Sequence, residues 1–296
     1  MQGRQVVRLH LRSTVEGVDH VAIEEWCLRG GGDGWAAVGW GLWDDHYDGI
    51  SWEEYVRWHT DESKVVNDSV RRLHELPSGT LVWTRRRDGS YWLGEITGAW
   101  HYRDGAEAQR HDIFNVRPCY WWRVGTQDSV PGIVVSNFNR SKTLNPVANR
   151  GAVLYTRRLH AQLAGRAGTI EPADPREVIE SLLGALDLED LVAVYLQDEH
   201  DLLLVNRGRS TVGYEYVLRH RLTGRRAVAT VKSGGAAVDL DGLPVDPDLA
   251  VWAYAVSGRS HGAPRDDVRW VTTEELVRFV QRRLSVLPDQ VVRWLN

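Results

Sequence analysis

A break in the middle of the chain constrains the architecture more than any other feature. Residues 163–175, LAGRAGTIEPADP, are small, polar and turn-forming, which is the composition of a linker. Asp174 as N-cap, Pro175 at the first helical position and Glu177 three residues after the cap predict that a new helix starts there. A chain of 296 residues also has the length of about two domains. The predicted division is a domain at 1–162, a linker at 163–175 and a domain at 176–296. The cap and the first residue of the second domain's first helix are the last two residues of the linker.

Composition excludes several classes of protein. Hydrophobic residues make up 43% of the chain, which excludes wholesale disorder, and a net charge of −4 excludes a uniformly basic protein. Two cysteines form no disulfide framework. The first residues lack the apolar segment of a signal peptide, and no run approaches about 18 apolar residues. We therefore expect a cytoplasmic protein with no membrane partner.

The first half predicts short strands and helices. Residues 79–98 have the pattern of a hairpin with its turn at Asp88-Gly89. Ser51 and Glu54 have the spacing of a capping box and predict a helix over 50–76. Several short strands joined by glycine turns are typical of a small barrel. The further predicted strands are 38–43, 115–125 and 131–138.

The second half predicts a sheet flanked by helices. Helical spacing of apolar residues covers 177–197, with Gly184 and Asp187 as the point where it divides, and 272–287. Four strand-like runs lie between these helices, at 201–205, 214–220, 226–234 and 249–256. The fold class expected for the whole chain is α+β, with a barrel-like first domain and an α/β second domain.

Glu215 and Lys232 are the residues of the second half that most clearly suggest chemistry. They lie on consecutive predicted strands, and an antiparallel pairing would bring both side chains to one end of the sheet. A metal-dependent phosphodiesterase needs a carboxylate to hold Mg²⁺ and an ammonium group to stabilise the phosphate. The alternative is an ordinary cross-strand ion pair, worth less than about 1 kcal/mol. Lysine is rare in this chain, with three lysines against 33 arginines, which favours a specific role for Lys232.

Three segments in order, LEDLVAVYLQ (188–197), YEYVL (214–218) and ATVKSG (229–234), resemble the Mrr-like branch of the PD-(D/E)xK nucleases over roughly 175–290. The resemblance implies a restriction-endonuclease-like domain that uses Mg²⁺ or Mn²⁺. It implies that Glu215 binds the metal, that Lys232 is catalytic, and that Glu189 is the additional acid on the helix. The family has Asp, Glu or Gln two residues before the lysine, where this chain has Thr230. A hydroxyl is a weak metal ligand, so we expect lower metal affinity and weak activity.

Tryptophan is concentrated in the first half, where 11 of the 14 residues lie between Trp26 and Trp122. Aromatic rings stack on nucleic-acid bases and line the pockets that hold flipped bases. They also fill the cores of small barrels, and for any single tryptophan the core is the favoured alternative. The candidate pocket residues are Trp40, Trp43, Trp100, Tyr102, Trp121 and Trp122.

Charge is unevenly distributed within the first half. Residues 24–62 are strongly acidic, whereas residues 140–158 carry five basic side chains and no acid, and Arg85, Arg86 and Arg87 form a second basic group at the hairpin. A basic face of this kind is expected where a protein contacts nucleic-acid phosphates. Lys142 belongs to this predicted surface.

Residues 79–125 and SNFNRSKTLNPV (136–147) resemble the PUA-superfamily readers, the group that includes EVE and SRA domains. The resemblance covers about 35–160 and implies a small β-barrel that holds a flipped, modified base such as 5-methylcytosine in an aromatic cage. It also implies that Asn137, Arg140 and Ser141 lie near the DNA backbone.

Together the two resemblances predict a modification-dependent, type IV restriction endonuclease-like protein. Its expected partner is double-stranded DNA with methylated cytosine, and a homodimer is expected because cutting both strands needs two active sites. One alternative is a modified-DNA-binding protein whose nuclease domain is inactive, which Thr230 favours. A second is an RNA-binding PUA-like protein.

Overall fold

The computed structural model describes residues 5–29, 32–42, 47–166, 171–208 and 213–296. Its contacts divide the chain into two compact units. The first comprises Met1–Val130, Val134–Ala148 and Thr156–Gly168, and the second comprises Pro131–Ile133, Asn149–Tyr155 and Thr169–Asn296. The fold is α+β: the first unit has one curled half-barrel sheet, and the second has further sheets and helices.

Seven strands form the sheet in the described part of the first unit, in the order β2-β6-β4-β3-β1-β7 with β5 paired to β6. Their bounds are β1 (Val6–Leu9), β2 (Gly34–Val38), β3 (Leu81–Arg85), β4 (Tyr91–Ile96), β5 (His101–Tyr102), β6 (Asn115–Gly125) and β7 (Leu144–Pro146). The hairpin of β3 and β4 forms as predicted, with Gly89 at φ +84° in its turn. The strand expected at 38–43 lies earlier, because Trp40 at φ +63° leaves the extended region.

Helices accompany the sheet of the first unit. Their bounds are α1 (His20–Cys27), α2 (Trp52–Asp61), α3 (Asp68–Glu75), α4 (Ala106–His111), α5 (Gly132–Asn137) and α6 (Arg150–Leu163), and the division between the units runs within α5 and α6. The Ser51–Glu54 capping box is confirmed. The single helix expected over 50–76 is wrong, because Ser63 has φ +55° and Asn67 caps a second helix.

The strand expected at 131–138 is also wrong, since α5 occupies this segment. A short apolar run does not distinguish a strand from a helix by periodicity. Pro131 directly before the first helical residue favours the helix, because a proline near a helix start removes no hydrogen bond that the helix needs.

The second unit is built on a five-stranded sheet in the order β14-β12-β10-β9-β8, with a separate pair of β11 and β13. The strands are β8 (Leu202–Arg207), β9 (Tyr216–His220), β10 (Arg226–Lys232), β11 (Val238–Asp239), β12 (Leu249–Ala255), β13 (Ser260–His261) and β14 (Val268–Trp270). β9 runs antiparallel to β8 and β10, whereas β10, β12 and β14 are parallel. All four predicted strand segments therefore contain a strand.

The helices of the second unit are α7 (Pro175–Glu177), which continues as a π-helix over Val178–Leu182, α8 (Ala185–Glu199), α9 (Thr273–Arg282) and α10 (Asp289–Leu295). The Asp174 side chain accepts hydrogen bonds from the backbone of Arg176 and Glu177, so the predicted cap is confirmed. The predicted helix over 177–197 divides at Gly184, as expected. In the described part of the chain, no helix is long and apolar enough to cross a membrane.

Close packing in the first unit depends on one glycine opposite a tryptophan. Gly94 of β4 pairs with Trp121 of β6, whose ring is 3% exposed. A Cβ added at Gly94 would lie 2.6 Å from the Cys119 Sγ and 2.6 Å from the Trp121 ring. The small residue therefore leaves the volume that these two core side chains occupy.

Gly94→Ala should lower the free energy of unfolding by about 1–3 kcal/mol, because the core must shift to accept one methyl group. Urea denaturation monitored by circular dichroism measures this change. Gly105→Ala is the matched control, since a Cβ there meets nothing within 4 Å. Equal stability of both variants would contradict the packing argument.

Candidate active site and nucleic-acid interface

The register of β9 and β10 brings Glu215 and Lys232 together. Tyr216 pairs with Ala229, and the Glu215 backbone N–H donates to the Ala229 carbonyl. The Lys232 Nζ lies 2.7 Å from one oxygen of the Glu215 carboxylate, and the Val231 backbone N–H donates to the other oxygen at 2.7 Å. The prediction that both side chains lie at one end of the sheet is confirmed. Both are partly exposed, so a ligand can reach them.

Glu189 of α8 belongs to the same electrostatic cluster. Burial and, to a smaller extent, the neighbouring carboxylates of Glu215 and Asp190 together raise the pKa of Glu189 to about 7, against the opposing effect of Arg207 and Lys232. A carboxyl group with this pKa exchanges its proton near neutral pH. That property suits a group that gives up a proton when a cation binds beside it.

Thr230 lies on β10, two residues before Lys232. It directly follows Ala229, the residue whose carbonyl accepts the Glu215 backbone N–H. It is 1% exposed, and its hydroxyl oxygen has no hydrogen-bond partner. A buried hydroxyl without a partner is uncommon in a protein interior. In the part of the chain that the structure describes, no group of three or more His, Cys, Asp or Glu residues could hold a metal ion. The carboxylates that interact in this cluster are those of Glu189, Glu215 and Asp190.

A basic cluster forms on the first unit around β1. The Arg8 guanidinium is buried and donates to the carbonyl oxygens of Lys142 and Thr143, while Arg12 donates to the Ser141 carbonyl at 2.7 Å. The His10 ring lies 3.3 Å from the Arg140 carbonyl. These bonds hold the segment 140–143 against the chain around β1.

The cluster brings several positive charges close to one another. Burial lowers the pKa of Arg8 to about 10, assisted by Arg12 and Arg140. Burial also lowers the pKa of His10 to about 4, with Arg8, Arg12 and Arg85 contributing through their charges. His10 is therefore neutral at physiological pH, and arginine supplies the positive charge.

The predicted backbone-contact residues separate into distinct environments. Arg85 lies over the Phe138 ring at 5.3 Å and contributes to the basic cluster, together with Arg140 and the backbone of Ser141 and Lys142. Arg86 instead forms an ion pair with the buried carboxylate of Glu24, which also accepts from the backbone N–H of Arg87. The Asn137 side chain is 4% exposed. Sequence reasoning missed Arg8 of β1 and the two residues His10 and Arg12 that follow this strand, although their spacing of two residues could have indicated a shared face.

The predicted pocket aromatics are not brought to a single place. Trp100, Tyr102 and Trp121 belong to the apolar core of the first unit. Trp122 points to the other face of β6 and contacts Tyr120 and His160. Trp43 lies outside the described residues. Trp40 differs from these core rings because it is 40% exposed.

Trp40 stands between two clefts next to the basic cluster. The larger cleft, of about 370 Å³, is lined by Arg12, Ser13, Trp40, Asp112 and Ser141 among others. The Ser13 hydroxyl donates to the Asp112 carboxylate, and burial raises the pKa of Asp112. The smaller cleft, of about 260 Å³, shares Trp40 and Ser141. A ring, a carboxylate and a guanidinium therefore line one concave surface.

Comparison with known proteins identifies no relative. No family model, no curated protein sequence and no solved structure matches this chain. Any functional assignment therefore depends on the residues and contacts described above.

Glu189→Gln should remove a pH-dependent loss of stability. The folded pKa of about 7 exceeds the reference value of 4.5, so the folded protein binds more protons than the unfolded chain between these values. The wild-type free energy of unfolding should therefore fall, relative to the variant, as pH rises from about 4.5 to about 7, by about 1–2 kcal/mol given partial exposure. Urea titrations across this range measure the difference. A difference that stays constant with pH would contradict the burial of this carboxyl group beside Glu215.

Proposed function

We propose that this protein binds DNA containing a modified base, most simply 5-methylcytosine, and hydrolyses phosphodiester bonds with Mg²⁺ or Mn²⁺. The observation that carries the proposal is the contact between Glu215 and Lys232 at one end of the sheet, with Glu189 electrostatically coupled to both. Carboxylates can hold a metal ion and an ammonium group can stabilise charge on a phosphate, which are two of the roles that metal-assisted phosphodiester hydrolysis uses. The nuclease-like resemblance of the second half supports the same assignment.

The chemistry of the second unit follows from these side chains. Glu215 and Glu189 would hold the metal ion, which when bound supplies positive charge to the phosphate and to the attacking water. Lys232 neutralises the Glu215 carboxylate in the free protein. If a metal ion took the place of Lys232 on the Glu215 carboxylate, the Lys232 ammonium group would become available to the phosphate oxygens, where charge develops during the reaction. Glu189 holds or releases a proton near neutral pH because of its raised pKa.

The basic cluster and the Trp40 cleft support DNA binding by the first unit. Arg12, Arg85 and Arg140 offer guanidinium groups to phosphates, whereas the lowered pKa of His10 leaves its ring neutral. The larger cleft places Trp40 beside the Asp112 carboxylate, which can accept a hydrogen bond from a base N–H. A methyl group contributes only about 1 kcal/mol of apolar contact, so discrimination requires a closely fitting wall such as a tryptophan ring.

A DNA-binding protein without cleavage activity is the second candidate. The specific observation in its favour is that Thr230 provides no charge and that both oxygens of Glu215 are already engaged, by Lys232 and by the Val231 backbone. Weak metal binding would then leave recognition as the only function. A homodimer remains part of the nuclease proposal, since cutting both strands needs two such clusters.

The wild-type protein should bind a methylated duplex more tightly than the unmodified duplex in Ca²⁺, and should cut it in Mg²⁺ or Mn²⁺. Lys232→Ala should keep the binding and reduce the cleavage rate by about 10²–10³-fold, because it removes charge stabilisation at the phosphate. Gel-shift titration and a cleavage time course measure the two effects. Arg283→Ala is the control, because it removes an exposed, ion-paired cation of the same unit.

The outcomes separate the two candidates. The wild type could bind the methylated duplex without cutting it, while Thr230→Glu or Thr230→Gln gains cutting. That result would contradict the nuclease proposal and support a DNA-binding protein whose catalytic site has lost a metal ligand. Equal binding to both duplexes would contradict the modified-base proposal. Tighter binding of the matching RNA would favour the RNA-binding alternative.

Arg12→Ala and Arg140→Ala should each weaken DNA binding by a similar factor for methylated and unmodified duplexes. Each should also reduce the slope of log K against log salt by about 1, because one phosphate contact is lost. Fluorescence anisotropy at several salt concentrations measures the slope. Arg57→Ala, an exposed arginine of α2 within the acidic segment, is the control. An unchanged slope in both cluster variants would place the DNA elsewhere.

A further inference from the structure

A further cavity lies in the second unit, where β10 and β12 begin. It has a volume of about 350 Å³, within the range of small-molecule sites. Its lining includes the buried side chains of Leu202, Ala227 and Trp252, which form an apolar floor. The polar residues that line it are His200, His220, Thr223, Arg225, Arg226 and Arg269.

The side chains that line this cavity carry positive charge. Three arginines line it and no carboxylate does. Within the described residues, none of the three forms an ion pair, and the Arg225 guanidinium donates to the Pro247 carbonyl at 3.2 Å. Arg226 also lies directly opposite Arg219 in the register of β9 and β10. Like charges at opposed positions destabilise a sheet, and a bound anion would offset that cost.

The aromatic part of the cavity is arranged around Trp252. Its ring lies 4.4 Å from the His200 ring, and the Arg269 guanidinium lies over it at 5.4 Å. The indole N–H is buried and has no hydrogen-bond partner. His220 accepts the backbone N–H groups of Leu222 and Thr223 with its Nδ1, so the neutral ring carries its proton on Nε2. His220 therefore adds a donor, which again suits an anion.

The cavity is distinct from the Glu215–Lys232 cluster. β10 begins at Arg226 and ends at Lys232, and six residues of extended strand span about 20 Å. A ligand in the cavity would therefore not compete with a phosphate at Lys232.

We propose that this cavity binds a nucleoside phosphate. The three guanidinium groups would take the phosphate, and the apolar floor would take the flat base and the sugar. A bare phosphate ion would leave the floor uncovered and most of the volume unfilled. A neutral ring compound would leave the arginines without a counter-charge. Only a ligand with both parts uses the whole lining.

Isothermal titration of the full-length protein with adenosine and cytidine 5′-monophosphates tests the proposal. At least one should bind, and adenosine, cytidine and inorganic phosphate should each bind about tenfold or more weakly, because each lacks one part of the ligand. Arg226→Gln combined with Arg269→Gln should weaken nucleotide binding by about tenfold or more. Arg176→Gln combined with Arg283→Gln is the matched control, because it removes two exposed arginines of the same unit that already have acidic partners.

Three results would overturn the proposal. The first is the absence of nucleotide binding at millimolar concentration. The second is equal nucleotide binding by the cavity variant and the wild type, with circular dichroism showing that both are folded. The third is a cavity variant that keeps its affinity for the nucleotide but loses affinity for a short DNA duplex. The arginines would then contact the DNA backbone. Cleavage of methylated DNA is measured separately, so the two proposals can fail independently.

Discussion

The antiparallel register of β9 and β10 is the constraint on which the second unit depends. It sets Glu215 one residue before β9 and places Lys232 at the end of β10, where the two side chains meet. The same register puts Arg226 opposite Arg219 at the other end. A slip by one residue would turn Lys232 to the opposite face and separate it from Glu215. One pairing thus sets the carboxylate–ammonium cluster at one end and the position of Arg226 in the cavity at the other.

Glu215 contributes to that register as well as to the cluster. Its carboxylate accepts the Val231 N–H, which lies beyond the last residue pair of β9 and β10. The side chain therefore takes the place of a strand partner where β9 has not yet begun. A metal that bound Glu215 would compete with both the Val231 N–H and Lys232. The free site is stabilised by internal bonds, and a ligand must offer more than they do.

Sequence patterns predicted the elements whose signals are local. Asp174 with Pro175, the Ser51 capping box and the Asp88-Gly89 turn each act over a few residues, and each forms as expected. The pairing of Glu215 with Lys232 was predictable because only a short turn separates their strands. The predictions for 131–138 and 50–76 were wrong because periodicity alone does not resolve such segments. The helix in the first depends on a proline before an apolar run, and the second helix in 50–76 depends on a cap inside an amphipathic run.

The basic cluster and the aromatic residues depend on long-range contacts, which local sequence patterns do not reveal. Arg8 and Arg140 are far apart in the chain, and only the pairing of β1 with β7 brings their neighbourhoods together. Eleven tryptophans suggested a pocket, yet Trp121 is in the core because Gly94 leaves room for its ring. Trp40 stays exposed because its backbone turns away from the strand at positive φ. A backbone conformation uncommon for a tryptophan, two residues after the end of β2, thus brings this ring to the cleft that Asp112 and Arg12 also line, where a ligand can reach it.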